Sequence, residues 1–439
     1  MKVLKFGGTS VGSAQRMKDV AKLITDGEQK IVVLSAMSGT TNTLVEISDY
    51  LYKKNPEGAN EVINKLEAKY KQHIEELYST EEYKQKTLEF VKSVFDYIRS
   101  YTKDIFTLFE EKVILAQGEI ISTNMVTNYL CEQGVKATLI PALEFMRTDK
   151  NSEPDLTYIR EKLAIQLEAN PDYEIYITQG FICRNAYGEI DNLQRGGSDY
   201  TASLIGAAVN ACEIQIWTDI DGMHDNDPRI VDKTSPVRQL HFEEAAELAY
   251  FGAKILHPTC VQPAKYANIP VRLLNTMEPT APGTLISNET EKGKIKAVAA
   301  KDNITAIKIK SSRMLLAHGF LRKVFEIFES YQTAIDMVCT SEVGVSMSID
   351  NTKHLNEIVD DLKKYGTVTV DHDMCIVCVV GDLEWENVGF EAKALDAMRD
   401  IPVRMISFGG SNYNISFLIR EADKKKALQS LSDALFNNK

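Results

Sequence analysis

The first 290 residues alternate between short apolar runs and longer segments with helical spacing of their apolar positions. Buried strands are predicted at residues 30–37, 136–142, 174–182 and 214–220, with helical segments between them. Such alternation is typical of a mostly parallel sheet that carries helices on both faces. We therefore predict an α/β fold for this part of the chain.

Residues 52–115 interrupt this alternation with a long stretch rich in lysine and glutamate. Its apolar residues recur at helical spacing, so we predict a pair of amphipathic helices that cover one end of the sheet.

The pattern changes again after residues 278–294, a stretch rich in proline, glycine and polar residues that predicts a domain boundary. From strand 304–310 to strand 367–371 the elements follow the order β-α-β-β-α-β of a ferredoxin-like unit. A second such unit begins at Met374 and ends one strand short, and strand 295–301 is predicted to complete it. The predicted domains are residues 1–290, a first small unit at 303–373, and a second at 374–439 completed by strand 295–301.

Composition excludes some classes of protein. The 439 residues carry a net charge of −12, which argues against nucleic acid as the main partner, because a general binder needs a basic surface. No apolar run reaches the roughly 20 residues that span a bilayer, and Met1 is not followed by a signal-peptide pattern. We expect a cytoplasmic protein that does not enter membranes.

Cysteines and histidines do not show the spacing of a zinc site. Cys375 and Cys378 form a C-x-x-C pair, but they lie in a β-branched run where residues three apart face opposite sides of a strand. We predict two buried strand cysteines, and His257 before Pro258 is interpreted as a structural turn residue. No metal site built from protein side chains is predicted.

The candidate chemistry begins at Lys5, which precedes the pair Gly7-Gly8. Glycines let backbone N–H groups approach an anion closely, and a following helix adds its positive end. Lys5 stands at the carboxyl end of a strand, where open α/β sheets bind ligands. The pattern is not G-x-G-x-x-G, so it does not predict a dinucleotide site. An ordinary tight turn is the alternative.

Two further stretches support an anion site. Residues 34–42 end a predicted strand in small residues and hydroxyls. Arg195 precedes two glycines and a helix whose first turn holds Ser198 and Asp199. Ser198 is a natural N-cap, but an arginine beside a helix N-terminus is also suited to bind a carboxylate or phosphate.

A cluster of acids follows the strand at 214–220. It does not match an EF-hand loop, and its members could bind Mg²⁺, contact a ribose or cap turns; we do not favour direct metal ligation. The acids are Asp219, Asp221, Asp225 and Asp227.

Together these motifs resemble those of aspartate kinases in the amino-acid kinase family, in the same order along the whole chain. The matching stretches are KFGGTSV, VVLSAMSGTTN, AQGE, ITQGFI, RGGSDYTA, WTDIDG, DPR and FGAKILHP. The later stretches HGFLRKVFEIF and IDMVCTSEVGVSM resemble the ACT-type regulatory domains of the lysine-sensitive enzymes. The resemblance implies an amino-acid-kinase fold followed by two ferredoxin-like ACT units.

The implied reaction transfers the γ-phosphoryl of ATP, with Mg²⁺, to the β-carboxylate of L-aspartate. A carboxylate is ionised at pH 7 and needs no general base, so catalysis can rest on alignment and charge neutralisation. Two alternatives stay open. One is another kinase of this fold, acting on glutamate, N-acetylglutamate, carbamate or UMP, and the other is a non-catalytic amino-acid sensor.

The resemblance also implies roles for individual residues. Lys5 would neutralise charge on the transferred group, the Gly7 and Gly8 amides would hold phosphates, and Asp199 would order Lys5 or the metal–phosphate assembly. The implied substrate-binding residues are Ser35, Thr41, Glu119, Arg195, Gly196, Gly197 and Ser198. The implied nucleotide-binding residues are Lys5, Phe6, Gly7, Gly8, Ser10, Thr218, Asp219, His224, Arg229, Lys254 and Ile255.

Within these sets, Arg195 would bind the substrate α-carboxylate and Glu119 its α-ammonium. Glu119 could instead be a solvated helix residue, and Arg195 part of a surface ion pair. His224 stands where relatives commonly carry a tyrosine, which affects the expected recognition of adenine.

The ACT-like units imply feedback inhibition, with lysine as the first effector hypothesis and threonine as the next. The effector would bind between paired ACT units of two subunits, so a homodimer or homotetramer is expected. The implied effector residues are Met314, Ala317, Phe320, Leu321, Ala334, Ile335, Asp336, Ser341 and Glu342.

Overall fold

The computed structural model of the protein describes residues 1–103, 105–193, 196–252, 256–311 and 318–436. The chain divides into two compact units. The first comprises residues 1–223 and 255–288, and the second comprises residues 224–254 and 289–439.

The described strands and helices are numbered in chain order. The strands are β1 (Lys2–Phe6), β2 (Lys30–Leu34), β3 (Ala137–Leu139), β4 (Ile175–Gln179), β5 (Ile182–Arg184), β6 (Ile190–Asn192), β7 (Ile214–Thr218), β8 (Met223–His224), β9 (Pro236–Val237), β10 (Gln239–His241), β11 (Val271–Asn275), β12 (Thr284–Ser287), β13 (Ile295–Lys310), β14 (Val338–Ser341), β15 (Gly344–Ile349), β16 (Thr367–Gly381), β17 (Val403–Phe408) and β18 (Asn414–Arg420). The helices are α1 (Ala14–Ile24), α2 (Thr40–Tyr52), α3 (Pro56–Leu77), α4 (Glu81–Ser100), α5 (Leu108–Glu132), α6 (Leu156–Glu168), α7 (Gly197–Val209), α8 (Phe242–Tyr250), α9 (Gln262–Tyr266), α10 (Phe320–Ser330), α11 (Leu355–Lys363), α12 (Phe390–Ala397) and α13 (Lys424–Leu435).

The first unit contains the predicted parallel sheet. Its strands lie in the order β12-β11-β7-β1-β2-β4-β3. All neighbours run parallel except β12, which is antiparallel to β11. Every residue of β2 is buried, as expected where helices cover both faces of a parallel sheet. The predicted α/β fold is confirmed, and the carboxyl ends of β1, β2, β4 and β7 lie along one edge.

The charged stretch between β2 and β3 forms the two predicted amphipathic helices, α3 and α4. Their apolar faces join the main core of this unit, where the rings of Tyr70 and Phe95 lie 5.9 Å apart. The prediction of a helix pair is confirmed, and α5 follows it as a third long helix.

The second unit has a six-stranded sheet in the order β14-β15-β13-β16-β18-β17. The two strands predicted at 295–301 and 304–310 form the single long strand β13. Its first half pairs with the second half of β16, and its second half pairs with β15 and the first half of β16. A shift of register between Lys301 and Ile304 interrupts the antiparallel ladder without ending it. The domain boundaries themselves stay a prediction.

Residues 224–252 were assigned by sequence to the first domain, but they pack within the second unit. Helix α8 lies against β13 and β16. The backbone N–H of Val298 donates to the Asp225 carbonyl at 2.8 Å, and the Asn226 side chain donates to the Leu428 carbonyl at 3.0 Å. Because of these contacts with distant parts of the chain, residues 224–252 pack with the second unit and not with the strands that precede them in sequence.

Three further features of the described residues concern cysteines, membrane spans and metal ligands. Cys375 and Cys378 are buried in β16 as free thiols, as predicted, and burial raises the pKa of both. Among the helices described, none is long and apolar enough to cross a bilayer. Nor do the described ranges contain a group of three or more side chains suited to hold a metal.

Candidate active site

A cavity of about 330 Å³ opens where β1, β2 and β4 end in the first unit. This volume falls in the range of small-molecule sites. It is lined by Gly8, Ser35, Ala36, Met37, Ser38, Gly39, Thr41, Asn42, Glu119, Phe181, Gly197 and Ser198. Six of the predicted site residues therefore meet here: Gly8, Ser35, Thr41, Glu119, Gly197 and Ser198.

Lys5 forms an ion pair with Asp199 in the same unit. The Lys5 Nζ and Asp199 Oδ1 atoms are 2.8 Å apart, and the two side chains are 12% and 16% exposed. Lys5 extends from β1 and Asp199 from the first turn of α7. A Cβ atom on Gly7 would lie 3.5 Å from the Lys5 Nζ. The ammonium is thus held beside the glycine turn.

Two serines connect the loop after β2 to the start of α7. The Ser35 hydroxyl donates to the Ser198 hydroxyl at 2.9 Å. The N-cap of α7 is Gly196, in a left-handed conformation with φ of 71°, so the interpretation of Ser198 as N-cap is wrong. Only glycine fits at position 180, because a Cβ atom on Gly180 would lie 2.3 Å from the Ser198 Oγ.

Glu119 is a buried acid on α5. Its residue is 3% exposed, which excludes the alternative of a solvated helix residue. One carboxylate oxygen accepts a hydrogen bond from the Ala36 N–H at 3.2 Å. The other is buried and receives no hydrogen bond from the residues that the structure describes. Burial raises the pKa of Glu119 to about 8, because desolvation disfavours the charged form of the acid.

Backbone hydrogen bonds join the turn after β1 to the neighbouring strand and loop. The Gly7 N–H donates to the Trp217 carbonyl at 3.3 Å, so this amide already has a partner within the fold. The Gly8 carbonyl accepts from the Ser38 N–H at 3.1 Å, which joins the first two loops of the cavity. In this structure the Gly7 amide extends the pairing with β7, and its role in phosphate binding stays a prediction.

Two predicted nucleotide residues have side chains in the core. The fully buried Phe6 ring stacks on Trp217 with centroids 5.6 Å apart. The buried Ser10 hydroxyl is 2.7 Å from the Thr276 hydroxyl. Their side chains stabilise the sheet and its turn, and ligand contact through these side chains is not supported.

The remaining predicted nucleotide residues lie in different parts of the chain. Thr218 ends β7, and its hydroxyl donates to the exposed Asp219 carboxylate at 3.2 Å. His224 and Arg229 belong to the second unit. The Arg229 guanidinium binds Asp227 through two hydrogen bonds of 2.9 and 2.7 Å, and it holds the pKa of that carboxyl below its ordinary value. The His224 Nδ1 is 2.9 Å from the Thr234 hydroxyl.

The predicted effector residues are distributed between core and surface of the second unit. Phe320 is buried at the start of α10 and Ile335 packs against the same core, whereas Leu321, Ala334, Ser341 and Glu342 are exposed. Asp336, predicted to receive an amino group, already accepts hydrogen bonds from Tyr250 and Lys301. Five predicted residues lie outside the described ranges: Arg195, Lys254, Ile255, Met314 and Ala317.

Sequence reasoning missed Phe181 as a cavity residue. It has a left-handed φ of 68°, which is rare for a bulky side chain and clusters at functional sites. The Thr201 hydroxyl accepts a hydrogen bond from its N–H at 2.9 Å and supports this backbone. The available signal was its position near the carboxyl end of the predicted strand 174–182, at the same sheet edge as Lys5.

Gly8→Ala is expected to raise KM for the carboxylate substrate on the order of tenfold and to lower the free energy of unfolding by about 1–3 kcal/mol. A Cβ atom there would lie 2.8 Å from the Ala36 carbonyl oxygen, so the loop after β2 must shift. Steady-state kinetics and urea unfolding measure the two effects.

Gly410→Ala is the matched control, because a Cβ at Gly410 meets nothing within 4 Å. Unchanged kinetics in Gly8→Ala would show that the loop moves without disturbing the cavity, contrary to this expectation.

Comparison with known proteins identifies the family of this chain. A model of the amino acid kinase family matches residues 1–275, and an ACT domain model matches residues 377–435. Aspartokinase 1 (chloroplastic) of Arabidopsis thaliana is 35% identical, over 99% of this chain and 80% of that protein. Lysine-sensitive aspartokinase 3 of Escherichia coli is 31% identical over 99% of each.

A solved structure gives a similar result. The crystal structure of E. coli aspartokinase III in complex with aspartate and ADP matches with a TM-score of 0.85 at 31% identity, over 99% of this chain and 100% of that one. The chain therefore belongs to the amino acid kinase family and, within it, to the aspartokinases.

Proposed function

We propose that this protein is an ATP-dependent kinase that phosphorylates the β-carboxylate of L-aspartate to give 4-phospho-L-aspartate. The observation that carries the proposal is the buried Glu119 carboxylate oxygen without a hydrogen-bond donor among the described residues, in a cavity beside the Lys5 ammonium. An amino acid with a second carboxylate has both the cation that Glu119 can bind and the nucleophile that Lys5 can assist. Its ammonium pairs with Glu119, and its side-chain carboxylate approaches Lys5.

Substrate binding starts from the polar wall of the cavity. The α-ammonium of aspartate donates to the free Glu119 oxygen and restores the ionised form of that acid. The hydroxyls of Ser35, Thr41 and Ser198 offer further hydrogen bonds from the lining. Arg195, as the motif resemblance implies, binds the α-carboxylate, which orients the β-carboxylate toward the nucleotide.

Phosphoryl transfer requires charge neutralisation more than proton transfer. The β-carboxylate is the nucleophile and is ionised at neutral pH. Lys5 stabilises the negative charge that spreads over the transferred group, and Asp199 holds the ammonium in position. Since the two side chains are mostly buried, this interaction is screened less than one at the surface.

Magnesium is proposed to enter as part of MgATP. Mg²⁺ usually keeps several water ligands and binds through substrate phosphates with one or two carboxylates. The described residues fit this arrangement better than a protein cage, because they contain no group of three metal-ligating side chains. Asp219, exposed at the end of β7, is a carboxylate available to the metal–phosphate assembly.

The second unit is proposed to regulate the kinase through an amino-acid effector. Lysine is the first choice, because a relative that aligns over almost its whole length is named lysine-sensitive; threonine is the second. Pairing of ACT units between chains would give a homodimer or homotetramer, and the cytosolic location expected from the sequence stays a prediction.

The decisive assay measures ADP release from MgATP with and without L-aspartate, and then with lysine or threonine added. We expect release to require aspartate and to fall as lysine is added. Glutamate, N-acetylglutamate, carbamate and UMP serve as alternative acceptors. Release that one of these supports better than aspartate would assign a different substrate, and amino-acid binding without turnover would indicate a sensor.

A further inference from the structure

Two side chains of the second unit converge on the Asp336 carboxylate. The Asp336 Oδ1 atom accepts hydrogen bonds from the Tyr250 hydroxyl at 2.6 Å and from the Lys301 ammonium at 2.8 Å. The Lys301 Nζ is also 2.9 Å from the Asp350 Oδ2 and 4.3 Å from the centre of the Tyr250 ring. These residues come from α8, β13, the segment before β14 and the position after β15. The carboxylate thus connects separate elements of this unit.

The two oxygens of Asp336 are in different situations. The side chain is 2% exposed, and its Oδ2 atom is buried without a hydrogen-bond donor among the described residues. A buried acceptor that lacks a donor is costly to the fold. A ligand ammonium is the chemistry that satisfies a carboxylate oxygen, so this position fits the amino group of a free amino acid.

An ammonium bound to the Asp336 Oδ2 atom would change the hydrogen bonds that the Oδ1 atom accepts. Both oxygens share a single negative charge, so a second cation draws charge away from Oδ1. It also repels the Lys301 ammonium, which lies against the same carboxylate. Burial raises the pKa of Tyr250 to about 12 and keeps its hydroxyl a neutral donor, so its hydrogen bond weakens as charge leaves Oδ1.

Tyr250 is placed to transmit this change along the chain. It is the last residue of α8, which packs against β13 and β16. Lys254, which the motif resemblance assigns to the nucleotide, follows four positions later in the sequence. The hydrogen bond to Asp336 therefore fixes the helix end from which that part of the chain continues.

We propose that Tyr250 and Lys301 are positioning residues that couple an effector ammonium at Asp336 to nucleotide binding. The effector binds the free oxygen, the bond between Asp336 and Tyr250 weakens, and the end of α8 shifts. The coupling rests on the proposed function for its effector and its nucleotide. It assigns a role to two residues outside the predicted effector set.

Tyr250→Phe tests the coupling, because it removes the hydroxyl and keeps the ring beside Lys301. Calorimetry measures the Kd for lysine without and with MgATP, and the kinase assay measures inhibition by lysine. In the wild type we expect MgATP to weaken lysine binding on the order of tenfold. In Tyr250→Phe this effect should shrink to less than about threefold and the inhibiting lysine concentration should rise about tenfold. The Kd without nucleotide should stay near that of the wild type.

Tyr266→Phe is the control, since it makes the same change at a tyrosine that is 82% exposed, and it should behave as the wild type. A thermal unfolding midpoint near the wild-type value in both variants would show that they remain folded, so that any change in the MgATP effect reports on coupling. A merely structural role for Tyr250 would shift that midpoint and leave the effect of MgATP on lysine binding intact.

The outcomes separate this inference from the proposed function. If Tyr250→Phe keeps both the wild-type inhibition and the full MgATP effect, the coupling is overturned while the kinase assignment stands. If neither lysine nor threonine binds the wild type, the effector site and the coupling are overturned together. If aspartate-dependent ADP release is absent, the proposed reaction fails, and the calorimetric linkage still decides the coupling.

Discussion

Lys5→Ala is expected to lower kcat/KM for phosphoryl transfer by roughly a hundredfold or more, equivalent to about 3 kcal/mol of transition-state stabilisation. The substitution removes an ammonium that lies 2.8 Å from Asp199. It also leaves the Asp199 carboxylate, which is mostly buried, without this cation and beside the phosphates, so repulsion adds to the lost attraction. Initial rates with aspartate and MgATP varied in turn measure the loss.

The ion pair gives this expectation a second measurable consequence. If Asp199 acts through Lys5, Asp199→Asn alone should cost less than Lys5→Ala, and the double variant should lose less than the sum of the two. Lys2→Ala is the matched control, because Lys2 lies on the same strand but pairs with Glu28 at the surface. Near-wild-type kinetics in Lys5→Ala would remove this residue from the mechanism.

Glu119→Gln is expected to raise KM for aspartate about a hundredfold, because truncating one charge of a buried pair costs about 2–5 kcal/mol. In the wild type the same acid should make KM depend on pH. With a pKa of about 8, the ionised fraction of Glu119 rises from about one tenth at pH 7 to about nine tenths at pH 9. KM for aspartate should therefore fall by about tenfold over that interval, and this dependence should vanish in Glu119→Gln.

The same substitution is expected to stabilise the free protein. The folded pKa of Glu119 is raised above the ordinary value of 4.5, so the folded state binds this proton more tightly than the unfolded state does. Stability from this group is complete below pH 4.5 and is lost progressively as the pH rises to about 8. Glu119→Gln should therefore exceed the wild type in unfolding free energy at pH 9, on the order of 2 kcal/mol, and match it near pH 4.

Urea unfolding at several pH values measures this difference. Glu89→Gln is the control, since it makes the same change on the exposed face of α4 and should alter neither KM nor stability. A stability difference that does not change with pH would show that folding does not raise the pKa of Glu119.

The sequence predicted the part of the site that depends on strand direction. Apolar runs alternating with helices indicated a parallel sheet, and parallel strands place their carboxyl ends on one edge. The loop after β1 and the loop after β2 therefore had to meet, and the structure joins them through Gly8 and Ser38. The family was predicted separately, from the resemblance of the motifs and their order to those of aspartate kinases.

The sequence did not predict how individual groups are used once the loops meet. The AQGE stretch lies in α5, whose burial extends around the helix, so its periodicity did not show which neighbour Glu119 would face. The hydrogen bond from the Gly7 amide to the Trp217 carbonyl was not predicted, because Trp217 comes from a strand that is distant in sequence. Ser198 was interpreted as a cap because the left-handed turn at Gly196 is not readable from residue type alone.

The sequence by itself determined the fold class of the first unit, the helix pair that covers it, the strand that carries Lys5 and the family of the chain. The first three follow from spacing along the chain, because the periods of helices and strands are local properties, and the family follows from the resemblance of the motifs. The tertiary structure decided which polar atoms have partners: Ser10 with Thr276, Tyr250 with Asp336, and Glu119 with one donor instead of two. Such partners lie up to 266 positions apart, and their meeting depends on how the whole chain packs, which no local pattern records.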